Sequence, residues 1–591
     1  MAADPTPNSA ALPPCYLSRG RHVHATFGPA VVVIYMPMVP EAIVSMLACA
    51  RLGAIHNVVF GGFAAKQLAA RIEDSTPKVI ISASCGLEPG RVVEYKPLLD
   101  EAIALSPHKP DRCVILQRGE AEATMDPLRD VDWAVANAAA VPHPPVPVLA
   151  EDPLYVIYTS GTTGQPKAIQ RENGGHAVAL NWSMPAIYGC DTGDTWWAAS
   201  DVGWVRACHH IFYHGPFSLP FLFKTTRFTL QMLPLCPDAR SKVVGSSYIC
   251  YGPLLRGCTT VLYEGKPVGT PDAGEFWRVI SQNRVKSMFA APTAIRAIKA
   301  ADSNGEFLQD LDMTSLKALF LAGERSDPAT IEWAQELLGI PVIDHWWQTE
   351  TGFPITSNYM GYDGPFPIKP GSSTFPVPGW DVTVLNEKTG ELAGRNELGQ
   401  LAVKLPLPPC AFTTLFRDEE RFETSYLTDY PGYYNTGDAG HIDDDGYVSI
   451  MTRTDDIINV AGHRLSTGGM EQVLAQHPAV AECAVIGISD EIKGLIPLGL
   501  VVLKQTAIDD DQDQISRELI AMVRAQIGPV AAFKHALCVQ VLPKVKSGKI
   551  LRKTMKAIFD NREYAFPGNI EDPAVLTYIE EVATHFAKSQ P

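Results

Sequence analysis

Apolar residues first fall into a clear pattern at Val31. Val31–Met36 is an unbroken run rich in β-branched side chains, which predicts a strand buried on both faces of a parallel sheet. The spacing over Glu41–Leu52 predicts a helix, Asn57–Phe60 a second strand, Ala64–Asp74 a second helix and Val79–Ser82 a third strand. The alternation resumes after Glu151 with the apolar strand Leu154–Tyr158. Alternating strands and helices predict an α/β layer around a parallel sheet. Near Asp455 the pattern changes. Val480–Ile486 reads as a strand, Asp511–Gln526 as a helix with acids at its N-terminus, and Ala536–Leu542 as a strand, together a small α+β domain. The acidic run Asp509–Asp513 is most simply a solvated helix start.

Composition narrows the function. The chain has 591 residues, 46% hydrophobic and 19% charged, enough for a large core and more than one domain. Its net charge of −16 makes it a poor candidate for nonspecific nucleic-acid binding. An anionic nucleotide can still be held by local amides and a few Lys or Arg. No uninterrupted apolar run is long enough to span a bilayer. Twelve Cys are scattered without CxxC pairs, which predicts free thiols in a reducing compartment. Residues Met1–Ala30 carry Arg19 and Arg21 and one acid, Asp4, with four Pro before Cys15. The Pro residues break any amphipathic presequence helix, so an irregular tail is expected there.

The densest chemistry follows the strand Leu154–Tyr158. The string Tyr158-Thr-Ser-Gly-Thr-Thr-Gly-Gln-Pro-Lys167 contains two glycines, Gly161 and Gly164, that let backbone amides approach phosphate oxygens. Thr159, Ser160, Thr162 and Thr163 add hydroxyls, and Lys167 adds a compact positive charge. The GxxxxGK[ST] spacing is absent, which argues against a P-loop kinase or GTPase. A polar loop between core elements is the bland alternative.

This string resembles the signature of the adenylate-forming superfamily, which includes acyl-CoA synthetases, luciferase and peptide-synthetase adenylation domains. There the loop holds the β- and γ-phosphates. Ala168 stands where the family usually has Gly. Asp344-His-Trp-Trp-Gln-Thr-Glu-Thr-Gly352 resembles the central motif. The resemblance implies that Gln348 meets the nucleotide, Thr349 contacts the α-phosphate and Glu350 holds Mg²⁺, a hard cation that suits a carboxylate. It also implies that Trp347 closes the acyl pocket. Gly323-Glu324-Arg325 is similar to the adenine-binding segment, with Arg in place of Pro. Tyr434-Asn-Thr-Gly-Asp438 resembles the ribose-binding motif, where Asp438 would accept the ribose hydroxyls. Arg453 resembles the ribose and phosphate contact, and Asp455 the hinge. Gly462 and Arg464 match the segment that approaches coenzyme A. Arg91 matches a CoA-phosphate contact, although its usual companion is Glu88 here. Lys546-Ser-Gly-Lys549 resembles the catalytic lysine loop, with Lys549 offsetting charge during adenylation.

Within the family, Tyr263-Glu-Gly-Lys-Pro-Val-Gly-Thr-Pro-Asp-Ala273, Gly528-Pro-Val-Ala-Ala-Phe533 and Asp344-His345 look closer to propionyl-CoA than to acetyl-CoA synthetases. The animal proteins of this branch are short-chain acyl-CoA synthetases of mitochondria. The resemblance therefore implies the mitochondrial matrix, with the cytoplasm as the alternative. It also implies ATP, Mg²⁺ and coenzyme A, small-molecule substrates and no nucleic acid. It leaves the oligomeric state open.

The expected architecture is a large multi-layer α/β AMP-binding region over residues 31–454, after a tail at 1–30, and a small mobile α+β domain over 455–591. Two departures bear on activity. The family has a long stretch ahead of the strand at Val31 that Met1–Ala30 does not resemble, so part of the first subdomain is expected to be missing or replaced. Residues 206–243, rich in Phe among Pro and basic residues, interrupt the family pattern between Asp201–Val205 and Val244-Gly-Ser-Ser-Tyr248. Val205 and Val244 are expected to line the acyl pocket, so the insertion lands beside the substrate. Cys208, His209, His210, His214 and Cys236 inside it are too irregularly spaced for a metal site. A retained intron or a gene-model error explains both departures. Finding the insertion in the dominant spliced message would end that reading.

Two further readings remain open at this point. One is an inactive or aberrant isoform that only binds nucleotide. The other is an adenylating enzyme that hands its acyl group to a carrier protein, against which the Trp347 motif argues.

Overall fold

The computed structural model describes residues 30–591, except 62, 89–90, 160–166, 201–243, 325, 455–456, 461–462, 491–493, 505–506, 508–510, 545–549, 565, 568–569, 571 and 590–591. The strand Val31–Met36 lies in its interior. It pairs in parallel with Ile55–Phe60 on one side and Val79–Ala83 on the other. Its side chains alternate between two cores. Ile34 and Met36 pack with Met46 of the helix Pro40–Leu52. Val33 and Tyr35 pack with Leu68 and Leu99 of the helices Ala65–Ser75 and Tyr95–Leu105. Burial on both faces is why the run is uniformly apolar rather than alternating.

The sheet has seven strands, in the order Asp130–Asp132, Arg112–Leu116, Val79–Ala83, Val31–Met36, Ile55–Phe60, Pro153–Thr159 and Lys167–Glu172. Six run parallel. The seventh turns back antiparallel on Pro153–Thr159, with Thr159 opposite Lys167. The candidate phosphate string thus connects the two arms of a β-hairpin at the sheet edge. A second, five-stranded parallel sheet runs Thr259–Thr260, Thr195–Ala198, Ser287–Ala290, Ala318–Leu321, Val342–Asp344. Trp196, Phe289 and Phe320 on one face join the main core, and Trp197, Met288 and Leu319 on the other join a separate one. A four-stranded antiparallel sheet follows, in the order Val382–Leu385, Gly399–Lys404, Tyr433–Ile442, Val448–Arg453.

The C-terminal part has its own sheet and core. Strands His463–Ser466, Ile457–Val460, Gly494–Leu503 and Val480–Asp490 are antiparallel neighbours, and His535–Cys538 lies parallel to Gly494–Leu503. The helix Gln512–Gln526 is capped by Asp511, whose carboxylate accepts from the amides of Asp513 and Gln514. That gives one acid of the Asp509–Asp513 run a specific task. The last expected strand stops at Cys538 rather than Leu542. Gln540 donates its amide to the Tyr578 hydroxyl at 2.9 Å instead of to a neighbouring strand.

Among the described residues, no helix is long and apolar enough to cross a membrane. The nine described cysteines are all free.

Candidate active site

The segment 344–352 leaves the carboxyl end of the strand Val342–Asp344, where open parallel sheets place their ligand crevices. The neighbouring strand Ala318–Leu321, with Leu321 opposite Asp344, leads into Gly323 and Glu324. Gly323 has φ +99°, a conformation that suits glycine. Glu324 turns away from the solvent. Its Oε1 accepts from the Thr293 amide at 2.6 Å, from the Thr293 hydroxyl and from Arg296 at 2.8 Å. Its carboxylate therefore anchors the turn.

The central segment is tied down on one side through Trp346 and Gln348. Asp438 is wholly buried. Its Oδ2 accepts from Trp346 Nε1 at 2.9 Å and from Gln348 Nε2 at 2.6 Å. Gln348 also donates to the Thr436 carbonyl at 2.7 Å and accepts from the Tyr434 hydroxyl at 2.7 Å. Arg453 stands 3.6 Å from Asp438 Oδ1 and donates to the Thr436 carbonyl. Gly437 makes room for it, because a Cβ there would meet the Arg453 guanidinium at 2.7 Å.

On the other side lie Thr349 and Glu350. The backbone of both is held by Arg171, which is fully buried on the strand Lys167–Glu172. Its guanidinium donates to the carbonyls of Thr349 at 2.6 Å, Glu350 at 3.1 Å and Cys410 at 2.8 Å. Gly352, with φ +77°, passes so close that a Cβ would meet Arg171 Cζ at 2.8 Å. The Glu350 carboxylate accepts from the Tyr426 hydroxyl at 2.9 Å. The Tyr426 ring carries Lys167 Nζ on its face, 4.3 Å from the centroid. Burial lowers the Lys167 pKa. Glu350 opposes that shift, while Arg421 and Arg453 reinforce it. Glu350 is only half-buried and commits Oε1 to Tyr426. Its half-exposed carboxylate supplies hard oxygen donors of the kind that would suit Mg²⁺.

Trp347 is buried among Tyr248, Phe289 and His345, with ring centroids 5.3, 6.0 and 6.1 Å away. Tyr248 belongs to the π-helix Gly245–Tyr251 that begins just after Val244. Such π-turns are rare and cluster at functional sites. This one is pinned by the Ser247 hydroxyl, which donates to the Gly352 carbonyl at 2.8 Å, and by Trp196 Nε1, which donates to the Tyr248 carbonyl. His345 Nδ1 pairs with the Leu321 carbonyl at 2.8 Å, so it carries the proton, and Nε2 faces the Tyr188 hydroxyl. Burial pushes the His345 pKa down to about 4.

The structure thus gathers Lys167, Gln348, Thr349, Glu350, Asp438 and Arg453, with Trp347 and Val244 in the same buried core and Gly323 and Glu324 just beyond the end of the adjacent strand. Arg91 is exposed on the hairpin Cys85–Glu88/Arg91–Glu94, opposite Glu88. Only the backbone of Arg464 is described, on the strand His463–Ser466. Ser160, Gly161, Thr162, Thr163, Gly164, Val205, Asp455, Gly462, Lys549 and the insertion 206–243 lie outside the described residues. Sequence reasoning missed Arg171 and Tyr426, and it gave no separate role to Tyr434 and Trp346 inside the motifs that contain them. A charged residue two positions beyond the buried Ile169, on the same strand face, was the available signal for Arg171.

The family model of the AMP-binding enzymes matches residues 27–215 and 230–408, and that of the AMP-binding enzyme C-terminal domain matches residues 469–549. The chain belongs to the AMP-binding enzymes. The gap between the first two matched stretches falls inside the segment 206–243. Among curated relatives, an uncharacterized protein of Pseudomonas aeruginosa is 52% identical over 549 residues, covering 93% of this chain and 81% of that one. Acyl-CoA synthetase short-chain family member 3, mitochondrial, of Mus musculus is 48% identical over 554 residues, 93% of this chain and 75% of that protein. The propionate–CoA ligase of Escherichia coli is 41% identical over 556 residues, 93% and 82%. The solved acetoacetyl-CoA synthetase from Streptomyces lividans superimposes with a TM-score of 0.78 at 21% identity, over 94% of this AMP-binding enzyme and 78% of that chain. It shares the expected fold, a large α/β AMP-binding region followed by a small C-terminal domain.

Proposed function

We propose that this AMP-binding enzyme activates a short-chain carboxylate with ATP and passes it to coenzyme A, with propionate as the main substrate and acetate and butyrate as secondary ones. The observation that carries this reading is the joint placement of Asp438–Gln348–Arg453 and Lys167–Glu350 around the segment whose Trp347 packs against Tyr248 and Phe289. Relatives named as propionate–CoA ligase and short-chain acyl-CoA synthetases support the same substrate class. Discrimination by one methylene is worth only about 1–3 kcal/mol, so neighbouring acids compete.

The proposed reaction has two steps. A carboxylate oxygen attacks the α-phosphorus, forming the acyl-AMP anhydride and releasing pyrophosphate. Asp438 and Arg453 hold the ribose, Gly323 and Glu324 frame the adenine, and Gln348 keeps Asp438 in place. Thr349 orients the α-phosphate, and Lys167 with the string Thr159–Gly164 takes the outer phosphates. Lys549 offsets the charge that builds on the entering oxygen. Mg²⁺ at Glu350 would neutralise phosphate charge when bound. The domain 455–591 then turns about Asp455 against the region 31–454, and Arg91, Gly462 and Arg464 receive coenzyme A. Its thiol loses a proton and attacks the acyl carbonyl, and AMP leaves. The mitochondrial matrix fits the mitochondrial relatives, while the bacterial relative at 52% identity keeps a cytoplasmic site open.

The test is pyrophosphate release by the purified chain with ATP, Mg²⁺ and propionate, with and without coenzyme A, beside Lys549→Ala. Sustained release that needs coenzyme A and is lost in the variant supports the ligase. No release from folded protein would favour the nucleotide-binding-only alternative.

A further inference from the structure

Tyr426 ends the short helix Glu419–Tyr426 and is buried. Its ring is wedged edge-on against Phe412 at 5.0 Å and stacked on Tyr434 at 5.7 Å. That packing fixes the ring plane, and both of its remaining handles meet charge. The hydroxyl donates to Glu350 Oε1 at 2.9 Å, and Lys167 Nζ lies over the ring face at 4.3 Å. Lys167 and Glu350 form no direct ion pair among the described residues.

The geometry points to Tyr426 as a spacer that keeps the phosphate-loop lysine and the carboxylate apart, so that Lys167 remains available to a phosphate oxygen and Glu350 to a divalent cation. An ammonium and a carboxylate side by side in a half-buried site attract strongly and form a direct pair. Each would then be neutralised before the nucleotide arrived. A phenol prevents this with two different contacts, a hydroxyl donated to the carboxylate and a π-face offered to the ammonium. The cation–π contact is weak enough for a phosphate to draw Lys167 away. Tyr426 is thus a positioning residue: it holds two ligand-binding groups and is not required to touch the reacting atoms. This inference rests on the nucleotide reading given above.

The experiment is calorimetric titration of the full chain with ATP in Mg²⁺ and, separately, in EDTA. It compares wild type, Tyr426→Phe and Tyr426→Leu, with thermal unfolding to confirm that the variants fold. Tyr426→Phe keeps the ring and loses only the donor to Glu350. Its affinity ratio between Mg²⁺ and EDTA is expected to fall roughly threefold to tenfold, with binding in EDTA unchanged. Tyr426→Leu removes the ring as well, so Lys167 collapses onto Glu350 and binding in EDTA weakens too. An unchanged ratio in Tyr426→Phe, or identical behaviour of the two variants, overturns the spacer. Wild type that binds no ATP at all would instead overturn the nucleotide reading from which it follows.

Discussion

Asp438 and Glu350 flank the same segment, yet they are held in opposite ways. Asp438 is sealed from solvent and receives Trp346, Gln348 and Arg453. Glu350 is half-exposed and its carboxylate meets one hydroxyl, Tyr426. The rigidity on the Glu350 side lies in its backbone, through Arg171, and not in its side chain. A group that recognises an unchanging part of a ligand gains from being locked, because no reorganisation follows binding. In the proposed reaction Glu350 takes up and releases a cation in each turnover, so it needs a partner it can exchange. The site therefore combines one fixed carboxylate with one carried on a fixed backbone.

The largest expected effect breaks the fixed side. Asp438→Ala takes the acceptor from buried Trp346 Nε1, one of the two acceptors from Gln348 Nε2, and the carboxylate from beside Arg453. The expected cost is about 3–5 kcal/mol of stability, read by urea unfolding, together with loss of ATP binding. A variant that unfolds at the wild-type midpoint would show that the three donors find other partners. Arg171→Met is expected to do less. It removes the donor to three carbonyls while roughly keeping the volume, at a cost of about 1–3 kcal/mol. Its signature is kinetic, since kcat falls while KM for ATP stays near the wild-type value. A matching loss of ATP affinity would mean that Arg171 supports the Asp438 side as well, and the contrast between the two sides would fail.

How much of this was visible beforehand divides along the same line. The strands Val31–Met36 and Val79–Ala83 and the helix Pro40–Leu52 follow from apolar spacing, because burial on one or two faces writes itself into local composition. Lys167, Gln348, Thr349, Glu350, Asp438 and Arg453 came from motifs whose residues sit close together in sequence. Arg171 and Tyr426 did not. Arg171 reaches carbonyls 178 and 179 residues away, and Tyr426 meets Glu350 across 76. A backbone carbonyl has no residue identity, so nothing in the sequence marks the acceptors of Arg171. Tyr426 also looks like core, since most of its surface packs on Phe412, Phe422 and Tyr434. The strand Lys167–Glu172 was hidden because its turning back on Pro153–Thr159 depends on the intervening string, which reads as a loop. The π-helix at Gly245 follows the unusual segment 206–243, so its local pattern had no regular element before it.

The smallest expected effect sharpens the comparison by pH. Burial lowers the Lys167 pKa below its ordinary 10.5, so Lys167 loses its charge earlier on the alkaline side than a solvated lysine would. ATP affinity is therefore expected to decline as pH rises toward 10.5. Stability should move the other way. With the folded pKa below the unfolded one, the unfolded chain holds more protons between the two values, and stability rises slightly with pH across that window. Above 10.5 the penalty for burying the charge is gone. Lys167→Arg keeps its charge throughout and should remove both trends. The check is ATP titration and urea unfolding of wild type and Lys167→Arg from pH 8 to 10.5, roughly the interval below the ordinary lysine value. An alkaline decline that persists in Lys167→Arg would assign it to another group, and the exchangeable side of the site would then not be the side that titrates.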